Sequence, residues 1–168
     1  MTTGIFAKSD IRDLKKSQKL LLYIVSALGE CEDKTKLAKL QYFCDFISKA
    51  FYDASISGEN YRYQRNKQGP LAYHFNEDLA VLTSNGFLSE AKKFHYKPVV
   101  CIDHLANEFE QNEIKVIDYV LLKYGKLNWR ELRDISHEQV PYLSTSEMNE
   151  VPLFTAYNLV DDYPDFKK

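Results

Sequence analysis

Few groupings of residues in this chain have the types and spacing for chemistry, and each has a plainer structural account. His74 and Glu77 stand three apart, so a helix would place both on one face as two potential metal ligands. A metal needs further ligands and none lies nearby in sequence, so a half-exposed polar face is the better account. Ser136-His137-Glu138 supplies the letters of a hydrolytic triad. Adjacent side chains point different ways, however, and cannot form a relay. His137 is better placed to close a helix, where an imidazole meets free carbonyls at the negative end of the dipole. Cys31, Cys44 and Cys101 are too widely spaced for a zinc knuckle. Cys44 falls near an apolar stripe and reads as a small buried hydrophobe. The glycines at 4, 29, 58, 69, 86 and 125 build neither a P-loop nor a dinucleotide fingerprint. No catalytic or metal-binding constellation emerges, no cofactor is expected, and an enzyme is not expected.

The basic residues are the group whose pattern points to a partner. Arg62, Arg65 and Lys67 form one set, and Lys92, Lys93 and Lys97, with His95, form another. Tyr61, Tyr63 and Tyr96 are interleaved with them. Cations of this kind hold phosphates, and aromatic rings stack on unpaired bases. In a winged-helix-like arrangement the two sets would flank the helix that enters a DNA groove. That helix, however, carries His74, Asn76, Glu77 and Asp78, and its carboxylates would meet phosphate unfavourably. An isoelectric point near 6.1 is also low for a nucleic-acid binder. Charge is uneven along the chain: residues 1–100 hold 15 Lys+Arg against 11 Asp+Glu, and residues 101–168 hold 7 against 13. Such asymmetry is the mark of a charged binding face as much as of two ordinary solvated surfaces.

The elements that would position these groups follow from periodicity. Asp10 to Glu30 reads as a first helix, capped by Asp10, with Leu14, Leu21, Ile24, Val25 and Leu28 on one face and Gly29 ending it. An acidic link, Glu30-Cys31-Glu32-Asp33, leads to a second helix over Lys34 to Tyr52. Its apolar Leu37, Leu40, Phe43, Phe46, Ile47, Ala50 and Phe51 make a broad buried stripe. Tyr61–Arg65 reads as a short strand or an extended arm, and Gly69-Pro70 as the start of a third helix, since proline suits the first helical position. That helix carries Leu71, Phe75, Leu79 and Leu82, stops at Asn85-Gly86, and has Phe87 folding back over its last turn. Phe87 to Ile102 reads as a hairpin around Ala91-Lys92-Lys93. Asn107 with Glu110 resembles a cap for a fourth helix reaching Tyr124, closed by Gly125. Asn128 with Glu131 repeats that cap for a fifth helix ending near His137. After Pro141 come turn residues, one brief helix near Phe154–Leu159, and an acidic tail with Asp161 and Asp162.

The whole reads as a mainly α protein with a small β element, an α+β helical domain with a winged-helix-like core and hairpin. Its 168 residues suit a single domain over 1–168, 45% of them hydrophobic and 27% charged. No apolar run approaches the ~20 residues that span a bilayer. The N-terminus lacks the pattern of a secretory signal, and three cysteines do not make a disulfide scaffold. A cytoplasmic protein with no membrane partner is expected, its oligomeric state left open.

Two stretches together resemble the Panacea domain of the SocA-like antitoxins. Thr35-Lys36-Leu37-Ala38-Lys39-Leu40-Gln41-Tyr42-Phe43-Cys44-Asp45 is similar to that family's KLxKLLYFAD-type helix. Gly58-Glu59-Asn60-Tyr61-Arg62-Tyr63 followed by Gly69-Pro70-Leu71 is similar to its aromatic segment ending in Gly-Pro-Val. The run from Leu132 to His137 looks like a further Leu-(Ser/Thr)-His segment. The resemblance spans roughly 33–140 and leaves 141–168 as a C-terminal tail. Arg65-Asn66-Lys67-Gln68 stands where the family commonly has a small residue and an aromatic before Gly-Pro, and Leu71 replaces the usual Val. The resemblance implies a helical domain with a small β element, encoded beside diverse toxins in bacteria, archaea and phages. It implies a cognate toxin protein as partner and no conserved active site. DNA is the alternative partner, for a winged-helix-like regulator. A protease adaptor presenting another protein is a third reading. The candidate contact residues are Arg62, Arg65, Lys67, Lys92, Lys93 and Lys97.

Overall fold

The structure is a computed structural model, and it describes residues 10–99 and 104–168. Asp10 caps only a 3-10 turn, Ile11–Asp13, by accepting from the Arg12 amide at 2.8 Å. Leu14 and Lys15 are then extended, so helix α1 runs Lys16–Leu28 rather than from Asp10. The Gln18 side chain accepts from the Lys15 amide at 2.9 Å and sets that start. Gly29 ends α1 at φ 84°, a conformation costly for any residue with a Cβ.

Helix α2, Lys34–Tyr52, has the boundaries its periodicity predicts. Asp33 caps it by accepting from the Lys36 amide at 3.0 Å. The stripe expectation is too narrow, however, because every residue from Lys36 to Ser48 is buried. The reason is tertiary. Helix α1, the strand β2 (Gly69–Ala72), the helices α4 (Gln111–Tyr124) and α5 (Trp129–His137), and a C-terminal 3-10 helix (Leu153–Asp162) all pack on α2.

Strand β1, Tyr63–Asn66, pairs antiparallel with β2 in register Tyr63↔Ala72 and Asn66↔Gly69. Gly69-Pro70 therefore opens a strand and not the third helix. A proline tolerates either place, because β2 is the sheet's edge and needs no N–H from Pro70. Gly69, at φ 104°, sits so close to α5 that an added Cβ would lie 2.6 Å from Ser136 Oγ. Helix α3 starts later, at Phe75, and runs to Ser84. Asn85-Gly86 ends it as expected, the Phe87 amide donating to the Leu82 carbonyl at 2.9 Å. Strands β3 (Leu88–Lys92) and β4 (His95–Pro98) form the expected hairpin. The expected continuation through Cys101 and Ile102 lies outside the described residues. Backbone bonds of 2.8 Å in both directions between Cys31 and Tyr96 tie the hairpin to the α1–α2 link.

Asn107 lies in a 3-10 turn, Leu105–Glu108, and does not cap α4. Glu110 and Glu113 do so reciprocally, displacing the expected start by three residues. Asn128 and Glu131 cap α5 as the sequence implies, at 2.9 and 3.1 Å. The last stretch is more structured than turns and a brief helix. It holds α6 (Val140–Leu143), strand β5 (Glu150–Val151) and the C-terminal 3-10 helix. Strand β5 joins β1 to give the order β2-β1-β5. Tyr163 and Phe166 are buried in the one core cluster that takes in α1 to α5. The architecture is mainly helical α+β, as the periodicities predict.

Phe43 is fully buried with its ring centroid 4.6 Å from that of Tyr124. Phe43→Ala should cost about 3–5 kcal/mol through lost transfer energy and the cavity left behind. Thermal melting should then show a midpoint lower by roughly 6–20 °C; an unchanged midpoint would contradict this packing.

Candidate functional site

The six sequence-predicted cations divide between two separate β elements, the β1–β2 sheet and the β3–β4 hairpin. Arg62 pairs with Glu150 of β5 at 3.0 Å. Arg65 lies over the Tyr142 ring, 4.2 Å from its centroid, and donates from Nη1 to the Thr145 carbonyl at 2.5 Å. These two arginines hold β1 against the C-terminal segment. Lys67 is exposed in the β1–β2 turn. In the hairpin, Lys92 and Lys93 are exposed and form no ion pair among the described residues, while Lys97 sits 3.6 Å from Glu30. Glu30 also accepts from the His95 ring at 2.9 Å, which with Lys97 holds its carboxyl below the ordinary range. On α3, His74 and Glu77 form the expected exposed pair at 3.1 Å. Asp78 does not face outward beside them. It is buried and accepts from Tyr61 Oη at 2.8 Å and Gln18 Nε2 at 3.1 Å.

What does converge is the set of motif residues. Lys39, midway along α2, is 1% exposed and donates from Nζ to the Pro70 carbonyl. Gly69 lies against the Lys39 stem and against Ser136, so all three family-like motifs meet at this point. Burial without a carboxylate partner pushes the Lys39 ammonium down to about 7. Six residues beyond Lys39 on α2, past Phe43, another buried polar group is partnered by neighbouring segments. Asp45 accepts from the Ser57 amide at 2.8 Å and from Tyr63 Oη at 2.5 Å. Burial raises its carboxyl to about 6 despite those bonds. Tyr42 Oη donates to Gln139 Oε1 at 2.9 Å, and Gln139 Nε2 donates to Tyr163 Oη at 2.7 Å. Tyr124 Oη completes the row with a 3.0 Å bond to Tyr163 Oη.

Beside Lys39 lies a cleft of about 160 Å³ between the first turns of α2, β2 and the start of α3, lined among others by Lys34, Thr35, Asn66 and Asn76. A perturbed lysine at a cleft is a common mark of a functional site. Here the ammonium's bond to Pro70 gives it a structural task, fastening β2 to α2. Among the described residues no three His, Cys, Asp or Glu side chains are grouped to hold a metal. Helix α5 ends at His137, as its position implies, but the ring does not bond the helix's free carbonyls: its Nε2 is buried without a partner and the ring stacks on Tyr142 at 4.2 Å between centroids. Cys44 is buried within α2, as its place near the stripe implies. Cys101 lies outside the described residues. The burial of Lys39 was not foreseen, although a lysine between Leu37 and Leu40 in an apolar stripe is a visible signal for it.

A mainly helical α+β frame knit together from inside by its motif residues is the form the antitoxin resemblance implies. The chain belongs to the Antitoxin SocA-like, Panacea domain family, whose sequence profile matches residues 37–141. That span agrees to within a few residues with the resemblance read from the motifs. No curated protein and no solved structure matches the chain. No helix among the described residues is long and apolar enough to cross a membrane.

Lys39 also makes a pH test of the interior. Unfolded, the lysine keeps a pKa near 10.5; folded, it titrates at about 7. Between these values the unfolded chain holds the extra proton, so stability should rise with pH across 7 to 9 and fall again on return to 7. Below pH 7 both states are charged and the penalty is constant. Each site of this kind contributes a slope of up to about 1.4 kcal/mol per pH unit. Urea unfolding at pH 7 and pH 9 should show that rise in the wild type and its loss in Lys39→Met. Equal slopes in both proteins would contradict the burial of an unpaired ammonium.

Proposed function

We propose that this chain is the antitoxin of a toxin–antitoxin pair and acts in the cytoplasm by binding and neutralising a cognate toxin protein. The observation that carries the reading is the family match over residues 37–141. The placement of the motif residues supports it. Lys39, Gly69-Pro70 and Ser136 face one another inside the molecule, so what they specify is a frame. A frame of this kind leaves the outer surface to vary with the partner, which is what neutralising different toxins requires. The reading makes the chain a binder and not an enzyme.

The cations favour protein over DNA as the partner. Arg62 and Arg65 pair with Glu150, Tyr142 and the Thr145 carbonyl, which leaves Lys67, Lys92 and Lys93 as the members of the candidate set that are exposed and form no ion pair among the described residues. Three lysines on two separate β elements are a thin supply for phosphates, whose neutralisation provides most of the affinity of a nucleic-acid binder.

Co-expression tests the reading directly. The gene beside this one, expressed alone, should arrest growth, and co-expression of this chain should restore it. The two proteins should also co-purify at physiological salt. A harmless neighbour, or arrest that this chain does not relieve, would count against an antitoxin.

A further inference from the structure

The C-terminal 3-10 helix, Leu153–Asp162, is apolar on two sides. Its inner side buries Ala156 and Leu159. On its outer side Phe154, Tyr157 and Val160 are 60%, 45% and 42% exposed. A 3-10 helix has three residues per turn, so side chains three apart stand directly above one another, and these three form a straight row. At about 2 Å per residue the row is about 12 Å long. Helix α6 packs on the same 3-10 helix and adds the exposed Leu143.

The charge at the Val160 end of the row is acidic, while at Tyr157 Lys49 lies over the ring, 5.7 Å from its centroid, and is paired with Asp53 and Glu59. Asp161 and Asp162, at the Val160 end, are exposed and form no ion pair among the described residues. Partial burial, together with the neighbouring charge of Asp161, raises the Asp162 carboxyl. Beside Tyr157, the exposed Asp53 accepts a bond from the Tyr157 hydroxyl.

We propose that this row is the docking face for an amphipathic, basic α-helix of the toxin, a proposal that rests on the antitoxin reading. A partner helix that presents apolar residues at i, i+4 and i+7 spans about 10.5 Å, which matches the row. Lysine or arginine just beyond its last anchor meets Asp161 and Asp162, whose charges nothing else described neutralises. The row lies beyond residue 141, outside the span shared with the family. Its side chains are therefore free to suit one toxin while the interior frame stays the same.

The test uses the full chain and, as probe, the inactivated toxin encoded beside it, with affinity measured by calorimetry. The double variant Phe154→Asp, Val160→Asp should bind at least 100-fold more weakly. Asp161→Lys, Asp162→Lys should bind about 10-fold more weakly at low salt. Leu122→Asp, at an 88% exposed position on α4, should bind like the wild type. All four positions in the two row variants are exposed, so circular dichroism and melting should be unchanged. Wild-type affinity in the row variant would overturn the proposal and leave the antitoxin reading standing. A wild type that binds no toxin would end both. Tighter binding by the lysine variant would mean an acidic partner, and equal loss in Leu122→Asp would mean a non-specific effect; either overturns the proposal. A wild-type dimer that the row variant splits, with toxin binding intact, would assign the row to a second copy of this chain instead.

Discussion

Helix α2 has no side facing water through its middle, and its polar side chains there, the Gln41 Oε1 atom excepted, find their partners in other segments. Leaving a buried polar group unpaired costs about 1–3 kcal/mol, and more for a charge. Lys39 finds the Pro70 carbonyl, Asp45 finds Tyr63 and Ser57, Tyr42 finds Gln139, and Gln41 donates to Tyr61. These bonds do more than satisfy α2. They set where β1 and β2 lie, and they fix the segment after α5 against the helix. The apolar contacts supply most of the driving force, while the polar ones select one arrangement of the surrounding elements.

Much of this was legible where local chemistry and tertiary packing agree. The limits of α2, the Asn128 cap of α5, the Asn85-Gly86 stop and the Lys93-centred hairpin follow from periodicity and capping residues acting alone. Reading failed where one local signal fits two structures and distant contacts choose between them. Proline's fixed φ at position 70 suits a helix start as well as an edge strand, and pairing with Arg65 decides for the strand. Asn107 has capping chemistry, but Glu110 and Glu113 satisfy each other three residues later. Strand β5 is two residues long and has no pattern of its own; β1 induces it. The surroundings of Arg65 show the same influence of distant contacts. Arg65 belongs to a basic set by sequence, yet Tyr142 and Thr145, almost eighty residues away, claim its guanidinium.

The same division bears on what the family motifs mean. Lys39, Gly69-Pro70 and Ser136 meet where close approach of α2, β2 and α5 leaves no room for a Cβ at position 69 and lets the lysine reach the Pro70 carbonyl. A motif of that sort identifies a frame. The surface that meets a partner has no such constraint on it, so motif reading passes over it.

The enclosure of α2 also imposes an order on biosynthesis. The helix spans residues 34–52 and leaves the ribosome early, with buried-type side chains on every side. Its cover arrives late, since the 3-10 helix that packs on it begins at Leu153, and Tyr163 and Phe166 close the core after that. Contacts so distant in sequence cannot form until both ends have been made. The nascent chain thus carries an incompletely covered helix from the emergence of residue 52 until its cover has been made. A cell that makes this protein gains a closed molecule only once residues 163–166 have emerged.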